Sequence, residues 1–312
     1  MKYIATKNDE GKLMRELILR DIGISRAFLK HLKFIDGGIC VNGQKVTVRY
    51  VLHEGDQVFL ATENEKQGSR LVPRDLPIDI AYEDDFAIVP SKPANMPTHP
   101  SHDHHGDTLA DALAYRYSDC ATPFVFRPIN RLDRNTSGLT LVAKDRISAA
   151  KLSSSMRKGE IKKQYVAILD GVPEKNEGTV ETYMRRSTKS IIVREVCDAD
   201  GGGDHALSHY KVLAANDRYS LVLASPETGR THQLRVHFAH LGTPILGDDM
   251  YGKESELISR QALHALSLKF PHPHNKENIT VSAMPPDDMS TLIRTLFGDR
   301  VAESLCELYD FL

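Results

Sequence analysis

Residues 62 to 77, Thr-Glu-Asn-Glu-Lys-Gln-Gly-Ser-Arg-Leu-Val-Pro-Arg-Asp-Leu-Pro, separate two stretches of patterned hydrophobicity and share the pattern of neither. A run this polar and aperiodic has too little apolar surface to enter a core, so it reads as a linker. It divides the chain into a small module over residues 1–61 and a larger body over residues 78–285. Residues 286–312 follow as a helical tail in which Leu292, Ile293, Leu296 and Val301 are apolar. A length of 312 residues suits two domains, one of them small, and 41% apolar residues allow a sizeable core.

Within the small module, Leu13, Leu17 and Ile18 share one face of a short helix. Ser25 is placed to cap a second helix whose buried stripe is Phe28, Leu29 and Leu32. Arg26, Lys30 and Lys33 recur at i, i+4 and i+7, so their charges project together from the opposite face. Gly37-Gly38 ends that helix, and Ile39 to Val46 reads as a β-hairpin about Asn42-Gly43. A second turn, Glu54-Gly55-Asp56, precedes a strand over Gln57 to Leu60. The sum is a small α/β unit with one basic helix face.

The body alternates short strands with few helices. Ile78 to Tyr82 and Phe86 to Val89 pair across Glu83-Asp84-Asp85; Asp107 caps a helix over 108–115; a further helix spans Ile147 to Lys158. This pattern predicts an α+β domain built on a mainly antiparallel sheet. The net charge of −2 argues against a simple polybasic binder, but the cations are clustered. Lys12 to Arg49 holds eight Lys or Arg against three acids, and Lys144 to Lys163 holds seven against two. Arg185, Arg186, Lys189 and Arg194 follow with no acid between them. Such clustering suits a defined polyanion track. The four cysteines have no paired spacing, the opening residues are unlike a signal peptide, and no apolar run approaches membrane-spanning length. A soluble cytoplasmic protein, reduced and without a membrane, is the expectation, and nothing demands more than a monomer.

The densest chemical signal is Arg127-Pro128-Ile129-Asn130-Arg131-Leu132-Asp133-Arg134-Asn135-Thr136-Ser137-Gly138-Leu139. It sets one carboxylate, Asp133, between two arginines in a polar turn before an apolar run, and opposite charge on either side favours the ionised acid. Alone, such an acid either holds loops together or acts as nucleophile or base. The stretch from Arg131 to Leu139 resembles the catalytic motif of pseudouridine synthases, in the branch typified by the large-subunit ribosomal RNA (RluA-like) enzymes. Lys163 to Gly171 is similar to that family's tyrosine strand, and Glu227 to His237 to its arginine motif. The small module resembles the RNA-binding unit called S-four-like, first known from a small-subunit ribosomal protein, and its basic helix suits folded RNA.

The resemblance implies an isomerase that breaks the glycosidic bond of a uridine, rotates the base and rejoins carbon 5 to the ribose. No cofactor is implied. The matching aspartate, Asp133, acts as nucleophile or takes the ribose 2′ proton. Tyr165 stacks on the flipped uracil and serves in proton transfer at carbon 5. Arg235 pairs with Asp133, Arg230 contacts phosphate, and Arg131 and Arg134 hold phosphate or wedge the extruded nucleotide. Leu234 and Val236 place Arg235 on a partly buried strand. His232, His237 and His240 match no zinc spacing, so no metal is expected. The partner implied is structured RNA, ribosomal or transfer. Two departures stand out: Asn130 replaces the family's usual histidine, and Pro90 sits in Val89-Pro90-Ser91-Lys92-Pro93 where the family reads more like Val-Asn-Lys-Pro. Competing expectations are a non-catalytic RNA-binding or ribosome-assembly factor that kept the fold, and an RNA hydrolase using Asp133 as base.

Overall fold

Two separate sheets carry the chain in a computed structural model that describes residues 2–24, 26–61, 71–101, 104–120 and 124–305. Strands β1 (Lys2–Ile4), β2 (Ile39–Val41), β3 (Gln44–Lys45) and β4 (Gln57–Leu60) make a four-stranded sheet in the order β1-β4-β2-β3. The β2–β3 turn sits on Asn42 and Gly43, at φ of 50° and 80°, the left-handed backbone that a two-residue hairpin turn needs. Helix α1 (Met14–Glu16), a wide turn over Leu17–Asp21, and α2 (Arg26–Phe34) cover this sheet. Met14, Leu17, Ile18, Phe28, Leu29 and Leu32 are buried together, while Leu13 precedes the helix. The expected Ser25 cap lies outside the described residues.

Residues 62–70 likewise lie outside them. From Leu71 the chain is bound to the body: Val72 N–H donates to the Asp111 carboxylate at 2.8 Å, and Leu71 and Leu76 pack on a buried cluster. That half of the expected linker is therefore attached.

The body holds β5 (Asp79–Glu83), β6 (Ala87–Lys92), α3 (Leu109–Arg116), β7 (Arg127–Pro128), β8 (Ser137–Leu139), β9 (Val142–Ala143) and α4 (Arg146–Arg157). Then come β10 (Lys162–Asp170), β11 (Glu177–Arg186), β12 (Arg194–Cys197), β13 (Asp204–Ala215), β14 (Tyr219–Pro226), α5 (Gln233–His240), β15 (Leu263–Pro271) and β16 (Asn278–Ser282). Its twelve strands form one sheet along β12-β11-β13-β14-β10-β15-β8-β6-β9-β7, with β16 on β15 and β5 on β6. Every described pairing is antiparallel except β15 with β8. The α+β expectation holds.

Several local expectations are corrected. Helix α3 is capped by Thr108, whose hydroxyl accepts from Asp111 N–H while the Asp111 carboxylate accepts from Thr108 N–H, both at 3.2 Å. Asp107 is instead engaged by His104 at 2.6 Å. Strand β6 runs through Pro90, and the facing strand β5 has a bulge between Ile80 and Tyr82 at that point.

The largest correction is α5, expected as a strand. His232 turns the chain at φ 60°, and the Gln233 side-chain oxygen then accepts from Thr228 Oγ1 at 2.7 Å and from Arg230 N–H at 3.0 Å. Leu234 and Phe238, one turn apart, enter the main core, whereas Val236 enters a separate cluster with Met184 and Ala206. A helix buried on two sides shows no amphipathic stripe, which is why its apolar residues suggested a strand.

At the C-terminal end, α6 (Asp287–Phe297) and α7 (Asp299–Ser304) bury Met289, Ile293 and Leu305 in the same core as β10 and β14. Residues 306–312 lie outside the described residues.

Candidate active site

Asp133 sits in the loop between β7 and β8, and that loop is fixed at almost every residue. The Asn130 amide donates to Leu139 O at 3.3 Å, and its oxygen accepts from Leu141 N–H at 2.7 Å, so Asn130 ties the loop to the strand that follows. Thr98 Oγ1 accepts from Leu132 N–H and donates to Leu132 O. Lys92, fully buried, donates to Arg134 O at 3.1 Å as well as to Pro93 O and Met96 O. Burial pushes the Lys92 pKa down to about 7, opposed by the charge of Asp133. Arg260 donates to Asn135 O at 3.2 Å and forks onto Asp288 of α6 at 2.7 and 2.9 Å. Beyond the loop, Gly138 stands at φ 109°, where a Cβ would lie 2.3 Å from Ala265 O. Only glycine permits this parallel approach of β8 to β15.

The loop faces a cleft of about 590 Å³ lined by Asp133, Arg131, Tyr165, Arg230, His232 and Arg235, among others. The three expected motifs thus meet in space. Arg235 Nη1 approaches Asp133 Oδ2 at 3.7 Å, an ion pair beyond hydrogen-bond length. Its tighter partner is Asp248: Nε and Nη2 both bond the Asp248 carboxylate at 2.7 Å, with Asp248 fully buried and Arg235 5% exposed. Burial opposes the charge of Arg235, but the Asp248 bonds and the two carboxylates outweigh it and raise its pKa. The guanidinium is locked by one acid and offered to another. His232 Nε2 also comes within 3.9 Å of Asp133 Oδ1, while its Nδ1 contacts Tyr251 Oη at 2.8 Å. Burial lowers the His232 pKa, Asp133 notwithstanding.

The cation meeting Asp133 is therefore Arg235 rather than its sequence neighbours. Arg131 is exposed at the cleft; Arg134 is exposed too, but is not among the described residues lining it. Tyr165 is buried, and burial together with the charge of Asp133 raises its phenol pKa, so the phenol keeps its proton. Arg230 is exposed, with Nε donating to His205 O at 3.0 Å. Arg26, Lys30 and Lys33 are exposed on α2 and do not line the cleft. His237 is buried on α5 against Thr182 Oγ1 at 3.0 Å, and His240 is exposed.

Three contributors escaped sequence reasoning. Asp248 sits in Gly247-Asp248-Asp249, which reads as an ordinary polar turn, and only tertiary packing buries it. Lys92 was visible only as part of a proline-rich strand end. Lys163 lines the cleft two residues before Tyr165 on β10, donates weakly to Thr228 O at 3.4 Å, and is pushed by burial to about 8. Strand alternation puts Lys163 and Tyr165 on one face, a usable signal.

Comparison with known proteins agrees with this geometry. A family model described as RNA pseudouridylate synthase matches residues 86–240, which include Asp133, Tyr165 and Arg235. A Bacillus subtilis protein, uncharacterized RNA pseudouridine synthase YjbO, is 39% identical over 274 residues, covering 88% of this chain and 96% of that protein. Ribosomal large subunit pseudouridine synthase D of Pseudomonas aeruginosa is 34% identical over 281 residues, 86% of each chain. The solved structure of human RNA pseudouridylate synthase domain containing 1 matches with a TM-score of 0.58 at 27% identity, over 78% of this chain and 98% of that one. With its motifs gathered at one cleft and relatives this similar over nearly its whole length, the chain belongs to the RNA pseudouridine synthase family of isomerases.

Proposed function

We propose that the protein isomerises uridine in large-subunit ribosomal RNA, with Asp133 as the reacting carboxylate. The observation that carries this reading is the Asp133–Arg235–Asp248 chain, which holds one acid beside a fixed guanidinium in the lining of a nucleoside-sized cleft. The reaction exchanges the N1–C1′ bond for a C5–C1′ bond; the proton leaves carbon 5 and N1 gains one, so mass is unchanged. Asp133 acts on the ribose, as nucleophile at carbon 1′ or as base at the 2′ hydroxyl. The uridine must leave its stack, at a cost of a few kcal/mol. Arg131 and Arg230 at the cleft hold the flanking phosphates, with Arg134 nearby on the same loop. Tyr165 offers its ring to the uracil face and its hydroxyl to the transfer of the carbon 5 proton.

Ribosomal RNA is favoured over transfer RNA by the names of the relatives, Pseudomonas aeruginosa ribosomal large subunit pseudouridine synthase D among them. The unit over residues 1–61 is the S-four-like RNA contact in this reading, with Arg26, Lys30 and Lys33 on its exposed helix face. The test is chemical mapping of pseudouridine in transcripts of large-subunit ribosomal RNA and of transfer RNAs after incubation with the protein. New pseudouridine in the ribosomal transcripts is expected. Modification confined to transfer RNA would reassign the substrate, and binding without modification would favour the assembly-factor alternative.

A further inference from the structure

Arg157, in the last turn of α4, lines two hollows at once: the catalytic cleft and a larger groove of about 1240 Å³. The groove runs between the N-terminal unit and the body. Ile147 of α4 packs on the N-terminal core, the Arg146 guanidinium lies 4.0 Å over the Phe28 ring, and a Cβ on Gly23 would touch Lys151 Cγ at 3.4 Å. Its walls carry Arg20, Arg146, Lys151, Arg157, Lys158 and Lys276, with Asp21 and Glu160 as the described carboxylates. Asp21 is already engaged by Lys12 at 3.0 Å, while Glu160 pairs with Lys158 and Glu16 with Arg20, each at 3.8 Å, so cations still outnumber acids along the described walls. Half-buried Ser153 and Ser154 add hydroxyl donors along the same wall.

The cleft also shares Gly229, Arg230 and Thr231 with a third hollow, whose walls include Arg185, Arg186 and Arg194 beside the exposed Asp204. A cationic path thus enters the cleft at Arg157 and leaves it at Arg230. A strand whose central nucleotide is drawn into the cleft must have its backbone pass on both sides of it. The basic helix face singled out in the sequence is not on this path. By helical periodicity Phe28 and His31, which line the groove, lie on a different side of α2 from Arg26, Lys30 and Lys33.

We propose that the groove between the N-terminal unit and α4 is a docking track for the sugar-phosphate backbone of the substrate RNA, on one side of the target uridine. The inference rests on the reading that the chain acts on RNA. Phosphate contacts of this kind position a strand without reading its sequence, and they show as salt dependence.

The test uses the full chain with two charge reversals of equal size, Arg20→Glu/Lys158→Glu/Lys276→Glu in the groove and Arg26→Glu/Lys30→Glu/Lys33→Glu on α2. All six residues are exposed, so folding should survive. Affinity is measured against salt for a large-subunit ribosomal RNA domain transcript and for a short hairpin that spans the cleft alone. The groove variant is expected to bind the transcript at least about tenfold more weakly, with a salt slope shallower by about two, and the hairpin within about twofold of wild type. An unchanged transcript affinity in the groove variant, or a loss seen only in the α2 variant, would overturn the proposal. So would failure of the wild type to bind either RNA. If the wild type binds the transcript but isomerises no uridine, the enzymatic reading fails while the groove is still decided by the affinities.

Discussion

Asp248 matters to Asp133 through Arg235, and its removal separates stability from chemistry. Asp248→Ala leaves Arg235, 5% exposed, with only longer ion-pair contacts among the described residues, to partly exposed Asp133 at 3.7 Å and to exposed Asp249 at 3.9 Å. A loss of roughly 3–5 kcal/mol in denaturant unfolding is expected, because an uncompensated buried charge is left behind. Arg235→Lys keeps the charge but cannot fork onto Asp248, so kcat should fall with little change in RNA affinity. For Tyr165→Phe, the ring remains while the hydroxyl is lost; kcat should fall by about a hundredfold with KM nearly unchanged, measured by single-turnover isomerisation. A KM effect alone would mean that Tyr165 only stacks. That Asp133, Tyr165 and Arg235 meet at one cleft was legible because each stands in a short motif of distinctive composition. Asp248 and Lys92 were not, since burial of a charged residue by distant segments leaves no local periodicity to read.

The Asp133 loop is held by elements that come from far along the chain. Arg260 before β15 links Asn135 O to Asp288 of α6, so the C-terminal helices brace the loop. Asp288→Ala should therefore lower kcat as well as stability, and rescue by Asp288→Glu would point to the ion pair. Gly138→Ala forces a Cβ to within 2.3 Å of Ala265 O at a φ of 109°; a loss of at least about 2 kcal/mol is expected in thermal unfolding. Elements with a clear period were readable in advance, among them the Asn42-Gly43 hairpin, β5 with β6, and α4. Helix α5 was misread as a strand because both of its sides are buried. Strand β1 gave no signal, being three residues long and dependent on β4 for its pairing.

Across the whole molecule, acid sensitivity should come from histidines buried in neutral form. His264 Nε2 faces Ala283 O at 2.8 Å and so carries the proton, leaving Nδ1 to accept from the Ser137 hydroxyl at 2.9 Å. Burial pushes its pKa down to about 4. The folded state then resists a proton that the unfolded chain takes up near 6.5, so this stability is complete above pH 6.5. It is lost as pH falls toward 4. The loss amounts to roughly 3 kcal/mol, at about 1.4 kcal/mol per pH unit. Urea midpoints at pH 7 and 5 should differ, and less so in His264→Gln; equal pH dependence in both proteins would remove His264 as the cause. The α+β class was visible from strand spacing. The order of twelve strands, with β8 parallel to β15, was not, since pairing between distant segments is set by tertiary contacts.

The most direct measurement is tritium release from carbon-5-labelled uridine in large-subunit ribosomal RNA transcripts, wild type against Asp133→Asn, with RNA affinity measured in parallel. Because carbon 5 must lose its hydrogen to bond the ribose, the wild type should release tritium. Asp133→Asn should release none while binding RNA about as well. Undiminished release from Asp133→Asn would contradict the role assigned to Asp133, and no release from the wild type on bound transcripts would contradict the assignment of large-subunit ribosomal RNA as substrate.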